Sequence, residues 1–181
     1  MARISFRYLP LILLVSIFAA VVPSDSGADG AVTVPAGTGI LVKMQSAVVT
    51  GDARKGDPFT AVLEEPVVVD GKTAFARGIK VHGRVVEAVD TGNISGRPAM
   101  VLNLTEIETE SGTVPIRTLS QGYIGTAQGT VNSGIAGKVV GPAGPGVVVD
   151  STGRVTVKPG ALIEFGLLDP VEVNEASGQV Y

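Results

Sequence analysis

Residues 66–89 read Pro-Val-Val-Val-Asp-Gly-Lys-Thr-Ala-Phe-Ala-Arg-Gly-Ile-Lys-Val-His-Gly-Arg-Val-Val-Glu-Ala-Val. Pro66–Val69 and Thr73–Ala76 flank Asp70-Gly71, a pair that tolerates the positive φ of a two-residue hairpin turn. Gly78 then launches a long strand, Ile79–Val89. In it Ile79, Val81 and Val85 alternate with Lys80, His82 and Arg84, so one face is apolar and the other charged. Working outward, the same grammar recurs. Val32–Val34, Gly39–Ser46, Phe59–Leu63, Met100–Ile107, Val114–Leu119, Arg154–Val157 and Leu162–Leu168 are short β-branched or aliphatic runs bounded by Gly, Pro, Asp and Asn. No helical stripe of useful length follows Ala31. The pattern predicts an all-β domain, a small β-barrel or sandwich.

One local device appears three times: a Gly that launches an apolar strand, with a small residue or Pro just before it. The copies are Pro35-Ala36-Gly37-Thr38-Gly39-Ile40, Ala76-Arg77-Gly78-Ile79-Lys80-Val81 and Lys158-Pro159-Gly160-Ala161-Leu162-Ile163. A type II turn explains it, since Pro suits the first central position and Gly the second. Uneven spacing excludes a solenoid. The copies are expected at equivalent corners of one closed sheet.

The chain has 181 residues with 14 Lys and Arg against 17 Asp and Glu, which allows one domain. It contains no Cys and a single His, which excludes disulfides, thiolate sites and a multi-histidine zinc site in one chain. A mildly acidic chain without a basic block is not built for nucleic acid. No cofactor is expected.

Residues 1–28 read as a secretory signal. Arg3 and Arg7 form the positive region, Leu9–Val22 the apolar region, and Ser26-Gly27-Ala28 a small-residue cleavage site near Ala28. An uncleaved anchor is the alternative, but the run is short for a spanning helix. Cleavage leaves 12 cations and 16 anions, a net charge of −4. The expected organisation is a signal over 1–28, a β-barrel domain over 29–176 and a tail over 177–181. The expected location is the periplasm or outer membrane.

Residues 121–152 break the pattern with clustered Gly and almost no charge. This is the expected long Gly-rich insertion of the barrel. Gly125 with Gly129, and Gly137 with Gly141, have the spacing that lets helices approach closely in lipid. Gly is a poor helix former, so a surface loop is the first expectation and a membrane-inserting hairpin the second.

Five segments in order, Val34-Pro35-Ala36-Gly37-Thr38, Gly56 to Gly71, Ala76 to Arg84, Gly122 to Asn132 and Val157 to Phe165, give the chain a resemblance. It resembles the C-terminal β-barrel domain of TrbI-type proteins of the type IV secretion and conjugation outer-membrane core complex. The likeness spans Val32 to Val173. It implies a membrane-crossing hairpin between the last strands, with Gly125, Gly129, Val131 and Asn132 at its Gly-rich opening. TrbI-type proteins carry a cytoplasmic tail, an inner-membrane helix and a Pro-rich linker before the barrel. Here a signal segment stands in that place, so a stand-alone exported barrel is expected.

His82 lies on a solvated strand face, and no Gly-x-Ser-x-Gly elbow accompanies it. Glu106, Glu108 and Glu110 alternate along a strand end and share a face, with Lys80 or Arg84 as possible cross-strand partners. The expected function is therefore a non-enzymatic envelope protein. Gly125, Gly129, Val131, Asn132, Gly137 and Gly141 are its membrane or partner contacts. Envelope proteins, a second copy of the chain or the outer membrane are its partners. The alternatives are a hydrolase or binding module for a glycan or wall polymer, using the Glu106/Glu108 face.

Overall fold

A computed structural model describes residues 31–90, 97–126, 129–135 and 138–174. The expected signal, its cleavage site and the tail lie outside the described residues. The fold is all-β, and among the described residues no helix occurs. The strands are β1 (Ala31–Val34), β2 (Gly39–Met44), β3 (Val48–Val49), β4 (Pro58–Leu63), β5 (Val67–Val69), β6 (Lys72–Phe75), β7 (Lys80–Val89) and β8 (Ala99–Thr109). They continue as β9 (Gly112–Pro115), β10 (Gln121–Gly125), β11 (Val131–Ile135), β12 (Lys138–Pro142), β13 (Val147–Val149), β14 (Val155–Val157), β15 (Leu162–Gly166) and β16 (Val171–Asn174).

One antiparallel sheet runs in the order β12-β11-β10-β8-β7-β4-β2-β15, with β9 also on β8. It curls into a barrel-like wall. The curl closes where the segment after β9 meets the end of β15. Leu119 N–H donates to Gly166 O at 2.8 Å, Leu168 N–H donates to Arg117 O at 2.9 Å, and Thr118 bridges Leu167. Beyond that point a side chain carries the seam, as Gln121 Nε2 donates to the Glu164 carbonyl at 2.6 Å. The β1–β16 ribbon, the β5–β6 hairpin and the small sheet β13-β14-β3 complete the fold.

Strand alternation builds the core as expected. Val81, Val85, Met100, Leu102, Leu104, Phe59, Leu63, Ile40, Val42 and Phe165 are all buried. Each buried large aliphatic or aromatic side chain contributes about 1.5–3 kcal/mol relative to exposure. Asp70 and Gly71 have φ of 51° and 78°, and Val69 pairs with Lys72, so the hairpin turn is of type I′.

The three repeated corners are the same structure. Gly37, Gly78 and Gly160 have φ of 85°, 86° and 85°. In each, the Gly N–H donates to the carbonyl of one buried residue, whose own N–H donates to the carbonyl after the Gly. The gripped residues are Leu167 (2.8 and 2.9 Å), Leu63 (2.8 and 2.9 Å) and Met44 (2.7 and 2.9 Å). Two residues thus oppose one, which is a glycine bulge that bends and twists the sheet. Proline is placed as expected only in the third copy, where Ala161 N–H bonds Lys158 O across Pro159-Gly160. In the first, Thr38 N–H bonds Pro35 O, so Pro35 opens the turn and Ala36 holds the first central position.

The Gly-rich stretch is corrected by the structure. It forms neither an irregular loop nor a helical pair. β10, β11 and β12 extend the main sheet and β13 returns to pair with β14. Pairing of β10 along β8 from Gln121↔Leu102 to Ile124↔Ala99 supplies the order that glycine's backbone freedom opposes.

Replacing Gly37, Gly78 or Gly160 by Ala is expected to lower the unfolding free energy by about 1–2 kcal/mol each, because a Cβ there meets open space but left-handed backbone. Gly83→Ala is expected to cost about 1–3 kcal/mol by another route. Its Cβ would overlap the Phe59 ring and lie 2.5 Å from the Asn103 carbonyl oxygen. Denaturant unfolding measures both, and a Gly78→Ala variant as stable as the parent would refute the bulge account.

Candidate functional site

The charged face of β7 and β8 owes its direction to a bulge. Along β8, Met100, Leu102 and Leu104 point inward, and uninterrupted alternation would bury Glu106 and Glu108. His82 instead pairs with Glu106 and Gly83 with Leu104, so Thr105 is the extra residue. The bulge turns Ile107 into the core, fully buried, and both glutamates outward. Thr105 Oγ1 donates to His82 O at 3.3 Å.

On that face Glu108 is shared by two cross-strand groups. His82 Nε2 lies 2.8 Å from Glu108 Oε1, and Lys80 Nζ lies 3.8 Å from Oε2. The predicted pairing with Lys80 is thus present and runs through Glu108. Arg84 takes no part in it, since its guanidinium donates to Gly56 O at 3.0 Å. The His82 hydrogen bond, with smaller help from Lys80, holds the Glu108 carboxyl below its ordinary value. Neither of the two described cavities is lined by Glu106, Glu108 or His82. Other ion pairs tie loops to strands in the same way. Glu64 meets Arg77 at 2.8 Å and Lys43 at 3.9 Å, and Arg117 meets Asp169 at 3.0 Å. Exposed pairs of this kind are each worth under about 1 kcal/mol. Among the described residues no group of three His, Asp or Glu side chains is placed to hold a metal ion.

The six Gly-rich candidates have different situations within one wing, β10-β11-β12. Gly125 is buried, with Pro98 and Val149 so close that a Cβ would strike the Pro98 ring. Gly129 has φ of 76° in an exposed turn, where Thr126 and Thr130 hydroxyls bond at 2.6 Å. Val131 is 6 % exposed and belongs to the core. Asn132 is half-buried, opposite Ile124 on β10 and Pro142 on β12. Gly141 pairs with Ser133, and a Cβ there would meet nothing. Gly137 lies outside the described residues.

Alternation places Gly122, Ile124, Asn132 and Gly134 on the wing's outer face, opposite Tyr123 and Val131 on the core side. Val101 of β8 continues that outer face beside Gly122. Burial pushes the Tyr123 phenol up from its ordinary value. β12 pairs on one side only, and its register skips Val140 between Ser133 and Gly134. A bulge and the terminal Pro142 both blunt a sheet edge. The wing's outer face is therefore uncharged and partly exposed, with Gly134 buried, and its edge is a poor one for strand addition.

The sequence did not flag a concavity beneath residues 47–58, with a floor at Val85. Its walls come from a loop whose polarity hides them, and only their closure over β7 brings Val48, Ala53 and Pro58 together.

No protein-family model matches the chain, and no curated protein is significantly similar to it.

In the intact protein, the Glu108 carboxyl is expected to titrate below 4.5, its ordinary value, and His82→Leu is expected to raise its midpoint. The depressed folded value makes the contact stabilising above the unfolded value, with that contribution lost as pH falls through the folded one. Carbon-detected NMR titration of the side chain reads this directly. An unchanged Glu108 midpoint in His82→Leu contradicts the assigned cause.

Proposed function

We propose that the chain is a non-enzymatic, exported protein of the cell envelope that acts in assembly or contact at the periplasm or outer membrane. Its TrbI-like motif order and its signal-like first segment support the location. The observation that carries the contact role is the wing's outer face. Residues 111–149 contain no carboxylate in a chain with 17. The Gly122, Ile124, Asn132 and Gly134 face carries no charged side chain, and the wing's other face gives Tyr123 and Val131 to the core while Ile135 stays 39 % exposed. The partner is an envelope protein, a second copy of the chain or the outer membrane. Against the hydrolase alternative, Glu108 is held by His82 and Lys80 on an open face.

A chain without Cys permits single-cysteine labelling. In whole cells opened at the outer membrane, Thr113→Cys on exposed β9 is expected to react with a membrane-impermeant maleimide. Asn132→Cys on the wing is expected to be shielded, and to become reactive in the purified, dilute protein. Equal labelling of both positions in cells overturns the contact role. Labelling of neither until the inner membrane is broken overturns the location.

A further inference from the structure

The barrel wall closes along one seam, where residues 116–121, between β9 and β10, lie beside β15. Two backbone hydrogen bonds cross it, from Leu119 N–H to Gly166 O at 2.8 Å and from Leu168 N–H to Arg117 O at 2.9 Å. Among the described residues that is half the complement of a full antiparallel ladder over the same stretch. The other polar ties are exposed side-chain contacts, Gln121 Nε2 to the Glu164 carbonyl at 2.6 Å and Arg117 to Asp169 at 3.0 Å. We propose that residues 116–121 form a strap that lifts from β15 while the rest of the barrel stays folded, and so uncovers β15 as a free strand edge.

Each side of the seam is held more firmly to its own half of the wall than to the other side. The strap belongs to β8. Ile116 N–H donates to Thr105 O at 2.8 Å, Gln121 pairs with Leu102, and between them Leu104 N–H donates to the Thr118 hydroxyl at 2.9 Å. Thr118 is buried, so water does not compete for that bond. β15 belongs to β2. Its register there runs from Leu162↔Lys43 to Gly166↔Gly39, and the next residue, Leu167, is gripped by Gly37 and Thr38.

The ties between the two sides lie at the surface. Arg117, Leu168 and Asp169 are exposed, so water satisfies the polar groups that a lifted strap releases. Exposed hydrogen bonds with little apolar burial mark a segment that opens locally. Lifting the strap takes the seam partners from the Glu164 and Gly166 carbonyls. An unpaired strand edge invites pairing with other chains, and at rest this chain caps the edge itself.

Amide hydrogen exchange on the full chain tests the strap without reference to the contact role proposed above, because the seam divides two adjacent residues. Leu168 N–H bonds across the seam, whereas Leu167 N–H bonds Thr38 O at 2.9 Å on the β2 side. The Leu119 and Leu168 amides are expected to exchange about tenfold or more faster than those of Leu167, Leu63 and Met44, at a rate nearly independent of dilute urea, since local opening exposes little surface. Gln121→Leu removes the side-chain donor and is expected to speed Leu119 and Leu168 about fivefold further, the net worth of one hydrogen bond, with Leu63 and Met44 unchanged. Should that variant not fold, Asp169→Asn removes the ion pair and is expected to speed the same two amides about twofold. Leu168 exchanging as slowly as Leu167 overturns the proposal. So does exchange of all five amides together with one urea dependence, or seam amides that the variants leave unmoved.

Discussion

Three buried residues, Leu167, Leu63 and Met44, are each gripped by a left-handed glycine and the residue after it, and the curl of the sheet depends on those grips. A bulge places two residues opposite one, so the strand must bend and its twist must rise. The Leu167 and Met44 grips sit at the two ends of the same β2–β15 pair, and the Leu63 grip sits at the start of β7 on β4. These grips thus bend the half of the wall where the sheet has to come back to itself, and further bulges between β7 and β8 and between β11 and β12 bend the rest. Leu167 has a second task. Held by Gly37 and Thr38 on one side, it bridges Thr118 on the other, so the residue that bends the wall also closes it.

Much of this was legible because the constraint is local. Only glycine adopts these dihedrals at little cost, so a Gly ahead of an apolar run marks the corner wherever it occurs. The Asp70-Gly71 turn was legible for the same reason. The proline rule was less secure, since Pro35 and Pro159 occupy different turn positions and no residue is required at either. Strand alternation located the core through Val81, Val85, Met100, Leu102 and Leu104. It could not locate the bulge at Thr105, because an inserted residue has no signature of its own. The outward glutamates were still read correctly, since burying two unpaired carboxylates is more costly than breaking a ladder.

The Gly-rich stretch was misread for a physical reason. Intrinsic preference counts against glycine in strands as it does in helices, and the run has few side chains to announce a period. Its order comes from outside: β8 supplies a hydrogen-bonding edge, β14 lies against β10 and β13 against β11, and Tyr123 and Val131 are buried. Gly125 shows the converse dependence. A side chain at that position would collide with Pro98, so the glycine that looks permissive in the sequence is demanded by a neighbour 27 residues earlier. The likeness of 125–141 to a lipid-facing helix motif rested on spacing alone, and Gly125 and Gly129 do not share an element, since β10 ends at Gly125 and Gly129 lies in the turn before β11.

Charge is distributed unevenly over the finished surface, and that separates the places where chemistry happens inside the chain from those that face outward. On the wall, carboxylates meet cations across strands or loops: Glu108 with His82 and Lys80, Glu64 with Arg77 and Lys43, Asp169 with Arg117. These pairs are exposed, so they set register and local geometry more than stability. The wing carries no carboxylate and one cation, Lys138, so taking it out of water would cost less than desolvating a densely charged face. Under residues 47–58, Asp52 and Asp57 sit among six apolar lining residues, and Arg154 meets Asp52 at 3.9 Å, so a charge there too is answered within the chain.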